Sequence, residues 1–242
     1  MFIVAALIAP LGAWAVSTTL RTGGMSDSPA TIRSILEVTL AYCLPIALLS
    51  VMLGLLSAIQ WYLAGRFGRI ILTVIMAGAI TTGLVVRNYA WIAILSTPAV
   101  NSVASILYTP WATGLVMVVA LSPLAFFTIR LGLSATRPVA IDAARTLGAT
   151  DGWILLHVVI GRAQRAIALA GVLVFAASLS YFITPRMLGG GKTYFIGTAI
   201  VRALDFTGDY RAASVYAIWL AMPLLTLAVV VALVAYLDFR RS

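Results

Sequence analysis

Only seven acidic side chains, one histidine and one cysteine are spread over the 242 residues of this chain, against sixteen lysines and arginines. Bond chemistry by paired carboxylates, by Ser with His or Lys, or by a metal held on histidines needs such groups convergent in one place. No apolar run of the sequence carries such a set. Cys43 lies inside an apolar run and has no partner for an intrachain disulfide or a metal site. His157 has no second histidine or nearby carboxylate at ligand spacing and reads as a polar interface residue rather than a ligand or proton relay. Gly191-Lys192-Thr193 is like the tail of a phosphate-binding loop, but Arg186 stands where that loop's first glycine belongs, so no nucleotide site is expected. Neither a metal nor a cofactor nor a catalytic residue is expected, and the chain is not read as an enzyme. Asp205 and Asp209 share one polar connection, either as an ordinary solvated loop or as carboxylates for a protein partner or a cationic solute.

The segment that breaks the apolar pattern is Asp142-Ala143-Ala144-Arg145-Thr146-Leu147-Gly148-Ala149. Pro138 can open a helix in its first turn, and Gly148 stands at a natural C-terminal cap. Ile141, Ala144 and Leu147 make a narrow apolar stripe, while Asp142 and Arg145 share a neighbouring face as a pair worth about 0.3–0.5 kcal/mol if merely solvated. Ala143 and Ala144 keep the helix slim enough for close approach by another protein. Thr150-Asp151 is a plausible N-cap for a second helix that carries Trp153, Ile154, Leu155 and Val158 toward the membrane. The whole connection, residues 134–165, is helix, turn, helix, and it is the expected docking element.

The elements that position it follow from composition. Apolar residues make up 62% of the chain and charged residues 10%, with a mean hydropathy of +1.08; a soluble domain carries about 25% charge. A helix needs about 20 residues to cross the hydrocarbon core, and charges delimit six such runs. They are residues 1–20 before Arg21, the run between Glu37 and Arg66 centred on 41–63, residues 70–86, residues 111–129 closed by Arg130, residues 166–185, and residues 212–237 before Asp238. The fold class is therefore an all-α membrane protein of six transmembrane helices in one domain, residues 1–242, with the coupling connection between the fourth and fifth. Residues 1–20 lack a basic leading region and exceed the about 7–15 apolar residues of a signal peptide, so they are expected to be a membrane helix. Residues 88–110 are interrupted by Ser96-Thr97-Pro98 and Asn101-Ser102 and are read as an interfacial or re-entrant segment, the alternative being a seventh crossing that would flip one terminus. Arg87 is placed at a helix end, snorkelling to the interface.

With both termini inside, nine arginines fall in cytoplasmic segments against seven basic residues outside, in agreement with the positive-inside rule. The +9 net charge then reflects topology, and nucleic-acid binding is not expected. Pro45, Pro123 and Pro223 fall inside runs and are expected to kink them. Ala166, Ala170, Gly171, Ala176, Ala177, Ser178 and Ser180 favour close helix packing. Tyr89, Trp91, Tyr181, Phe182 and Asp205 are the candidate lining of a translocation path. No ionisable residue sits mid-span, which speaks against an ion-driven secondary transporter; that reading and a structural membrane subunit are the alternatives.

The loop resembles the cytoplasmic loop of the permease subunits of binding-protein-dependent ABC importers, in which Glu-Ala-Ala is followed by Gly and then by Ile-x-Leu-Pro. Here the corresponding residues are Asp142-Ala143-Ala144, Gly148 and Val158-Val159-Ile160-Gly161, with Asp for Glu and Gly161 for Pro, a flexible joint in place of a fixed one. Leu84-Val85-Val86-Arg87-Asn88-Tyr89-Ala90-Trp91 is similar to the family's segment closing the third helix, and Phe182-Ile183-Thr184-Pro185-Arg186-Met187-Leu188-Gly189-Gly190-Gly191 to the end of the fifth in the spermidine/putrescine-type branch. The resemblance implies a multi-pass protein of the bacterial inner membrane that forms half of a pore. Its implied partners are a second permease in a heterodimer, cytoplasmic ATPase subunits that hydrolyse ATP and seat Asp142, Ala143, Ala144, Arg145, Leu147 and Gly148, an extracytoplasmic solute-binding protein, and the lipid bilayer. The implied cargo is a polyamine or another small amine-bearing or organic solute.

Overall fold

A computed structural model of the chain describes residues 29–98, 107–134, 144, 146–190, 195–206 and 208–241. The expected first span, residues 1–20, lies outside them, as do Asp142, Ala143, Arg145 and most of the 134–143 stretch. The described residues are helical: α1 (Pro29–Leu63), α2 (Arg66–Thr81), α3 (Leu84–Leu95), α4 (Pro110–Ser134), α5 (Gly161–Leu179), α6 (Ile183–Leu188), α7 (Ile196–Asp205) and α8 (Tyr210–Arg241). A helical turn at Asp151–Trp153 and a π-helical stretch, Ile154–Ile160, run directly into α5. Among the described residues four helices are long and apolar enough to cross a membrane, or five if the bent pair α2 and α3 counts as one span.

Charge misplaced several span boundaries. α1 begins well before Glu37, because Arg33 Nε donates to Glu37 Oε1 at 2.8 Å one turn on, so the two charges ride together on one exposed helical face. The fifth helix likewise starts upstream of Ala166: the apolar stretch runs Leu156–Leu179, past Gly161, which keeps helical angles (φ −55°, ψ −40°). It also stops short of Pro185, since Ser180–Phe182 leave the helix before α6. The third expected run is broken at Thr82-Gly83, where α3 turns away from α2 by 104°. Both Thr81 and Thr82 donate their hydroxyls to Gly78 O, competing with the helical ladder, and Thr82 and Gly83 are extended. The interruption expected at Ser96-Thr97-Pro98 does end α3.

The core is the crossing of α1, α4 and α5, around Met117, Phe126, Ile129, Ala163, Ala170 and Val174. Small residues set its closeness. A Cβ on Gly54 would sit 2.5 Å from Ala125 Cβ, and one on Gly132 would overlap Ala166 Cβ, so α4 is drawn tightly between its neighbours. Pro45, Pro123 and Pro223 lie inside α1, α4 and α8. A second cluster seats the amphipathic α7 on α8 and on Ile32 of α1. Thr39 Oγ1 accepts the Ile196 N–H at 3.0 Å, meeting one of the unpaired donors at the start of α7.

Candidate functional site

Two places carry the sequence's functional residues. The first is where the broken helices meet. α2 ends at Thr81, so the Ala79 carbonyl has lost its helical partner; Arg87 Nη1 donates to it at 3.1 Å. The same guanidinium reaches across to the α5–α6 break, where Nη2 donates to the Tyr181 hydroxyl at 2.8 Å. One residue on, Thr184 Oγ1 donates to Asn88 Oδ1 at 3.1 Å, with both side chains about 1% exposed. Consecutive residues of α3 thus clasp two residues of the α5–α6 segment. Arg87 is half-buried, held between a freed carbonyl of α2 and the Tyr181 hydroxyl. Two buried donors of the clasp, Arg87 Nε and Asn88 Nδ2, have no hydrogen-bond partner among the described residues. Chemically, the seam is a buried polar tie between helices that carries one positive charge. From Arg66 to Thr81, α2 spans about 24 Å, which puts this seam near the end of the bundle opposite the 134–165 connection.

The proposed path residues are not gathered in one lining. Tyr181 is in the clasp, and Phe182, 36% exposed, packs against Gly197. Trp91 packs on the cluster of Leu95, Ala112, Val116 and Leu188, whereas Tyr89 is exposed on the surface. Asp205 pairs with Arg186 at 2.9 Å, and Arg186 also lies over the Phe206 ring. Asp209 Oδ1 accepts the backbone N–H groups of Arg211 and Ala212, both at 3.0 Å, and caps α8. Both carboxylates therefore have structural partners. Asn88 and Thr184 were not singled out by spacing; each is a polar residue beside an interruption in an apolar run, and the structure buries both.

The second place is the connection. Ala144 and Thr146 are helical, and Gly148 takes φ +82°, with the Ala149 N–H reaching back to Ala144 O at 3.1 Å. This is the long-range closing bond of a glycine C-cap, as the sequence suggested. Ala144 and Ala149 pack on the main core, while Leu147 is 88% exposed. Thr150 Oγ1 accepts the Trp153 N–H at 3.4 Å, the expected N-cap, and the Ile154 and Val159 side chains turn inward. His157 stacks on Trp153 with ring centroids 4.6 Å apart at the surface, in keeping with an interface residue. Among the described residues no group of three metal-ligating side chains forms.

No family model matches the chain. Among solved structures it is similar to a chain of an amino acid ABC transporter crystallised with histidines, with a TM-score of 0.63 and 18% identity over 84% of this chain and 91% of that one. It is also similar to a chain of a bacterial ABC transporter involved in import of the acidic polysaccharide alginate, with a TM-score of 0.65 and 15% identity over 99% of this chain and 96% of that one. The fold is the one found in those transporters.

Proposed function

We propose that the chain is a permease subunit of an ATP-driven, binding-protein-dependent ABC importer in a bacterial inner membrane. It forms half of the pore with a second, similar permease, receives solute from an extracytoplasmic binding protein and does no bond chemistry itself. ATPase subunits hold the 134–165 connection. Their closure on ATP displaces that connection, and the bundle exchanges inward- and outward-open arrangements. The observation that carries this reading is Leu147: on a fold shared with ABC transporter chains, an 88% exposed leucine stands at a capped helix end whose other side, Ala144 and Ala149, is anchored in the core.

The resemblance around residues 182–191 speaks for a polyamine or another small amine-bearing or organic cargo.

Leu147→Asp in the complete complex tests the coupling. An exposed position tolerates the change in the chain itself, so insertion and pairing with the second permease are expected to persist. ATPase co-purification and uptake should fall more than tenfold, because a carboxylate would be buried unpaired at the docking surface. Normal solute-stimulated ATPase activity and uptake in this variant would sink the reading.

A further inference from the structure

A cavity of about 710 Å³ opens where α1 ends and α2 begins, lined by Trp61, Arg66, Arg69, Ile70, Val74 and Arg130 among others. It is at the same end of the bundle as the 134–165 connection, since Arg130 lies in the last turns of α4, which ends at Ser134 where the connection begins. The three arginines differ in what holds them. Arg69 Nε and Nη2 donate to Trp61 O at 3.2 Å and Tyr62 O at 2.9 Å, closing the last carbonyls of α1. Arg130 lies over the Trp61 ring, 4.4 Å from its centroid, and Arg69 lies 5.1 Å from the same centroid. Trp61 is in turn fixed by its Nε1–H donating to Thr73 Oγ1 at 3.1 Å. Arg66 and Arg130 make no hydrogen bond or ion pair with another described residue, and no carboxylate lines the cavity.

Among the described residues these three guanidinium groups have no counter-charge, and they repel one another unless an anion joins them. The wall beyond them is apolar. Ile70 and Val74 line the cavity and continue into Ile71 and Ile75, all between 42% and 64% exposed on a helix that buries no residue. An open cationic groove with an indole floor, running onto an exposed apolar helix face near the end of helices long and apolar enough to cross a membrane, matches an amphipathic anion. The geometry points to a binding site for one anionic phospholipid of the cytoplasmic leaflet, with its phosphate between Arg66 and Arg130 and its acyl chains along α2. The site itself needs only the bundle in a bilayer; its assignment to the cytoplasmic leaflet rests on the importer reading, and the lipid titration of the chain alone separates the two.

Native mass spectrometry of the full chain in mild detergent, titrated with phosphatidylglycerol, phosphatidylcholine or inorganic phosphate, reads it without any transport assay. The chain is expected to retain one phosphatidylglycerol that phosphatidylcholine does not replace and that millimolar inorganic phosphate does not displace. Arg66→Gln, at an exposed residue, should weaken retention about fivefold, and Arg66→Gln with Arg130→Gln about thirtyfold, at about 1 kcal/mol per basic residue. Arg66→Lys with Arg130→Lys should keep most of the binding. Equal retention in native and glutamine variants overturns the site. Displacement by inorganic phosphate overturns it in favour of a free-anion site, and absence of the lipid from complexes extracted with their partner subunits overturns it in favour of a protein cover.

Discussion

At the scale of single residues, the clasp ties two broken helices together through a few side-chain contacts. Arg87 serves two acceptors created by two helix breaks, so Tyr181→Phe removes a partner of a charged donor and should cost about 1.5–3 kcal/mol. Melting of the purified chain in detergent checks this, and an unchanged midpoint would show that the tie contributes nothing. Gly190 tests another contact. It takes φ +56°, and a Cβ there would lie 2.8 Å from both Cβ and O of Tyr108, itself at φ +62°. Gly190→Ala therefore adds a backbone clash to a left-handed conformation and should cost about 1–3 kcal/mol, seen as a loss of monodisperse protein. Neither contact was legible in the sequence beforehand, because each joins positions far apart in the chain through broken helices. What spacing did supply was the cap at Gly148 and the N-cap at Thr150, both of which depend on a few neighbouring residues only.

At the scale of elements, apolarity located the long helices but not their ends. Arg33 and Glu37 were read as boundaries, yet they neutralise one another within α1. α7 was read as part of a loop although Ile196, Ala199, Ile200 and Ala203 recur at helical spacing, a stripe the structure buries on α8. The small residues of the fifth run were better guides: Ala166 meets Gly132, and Ala170 and Ser178 are buried, while Gly171 has open space around its Cα. These two environments give opposite expectations. Gly54→Leu must push α4 away from α1 and should destabilise the chain by about 1–3 kcal/mol. Gly171→Ala meets nothing in the chain and should stabilise α5 by about 0.5–1 kcal/mol through helix propensity. Comparing the melting of the two variants in the isolated chain decides it, and equal shifts would mean that helix contact does not control stability here.

At the scale of the whole molecule, the chain buries its polar clasp and its glycine crossings yet leaves much apolar surface uncovered. Leu44, Leu48, Met52 and Leu56 recur every four residues on α1 and are between 53% and 65% exposed. One continuous apolar stripe along a spanning helix must face lipid or another bundle, and a half-pore needs such a face. The exposed Leu147 at the connection adds a second incomplete surface on the polar side. A chain with both is expected to be at its most stable only when assembled, because partners that bind the folded state raise its stability by mass action. Gentle extraction from the native membrane followed by mass spectrometry of the co-purifying proteins is the direct check. An ATPase subunit together with a second permease is the expected result, and the assembled chain should melt higher than the chain alone. Recovery of the chain with itself only, under conditions that preserve other membrane complexes, would remove the reason for Leu147 to be exposed and return the argument to an autonomous, ion-driven carrier.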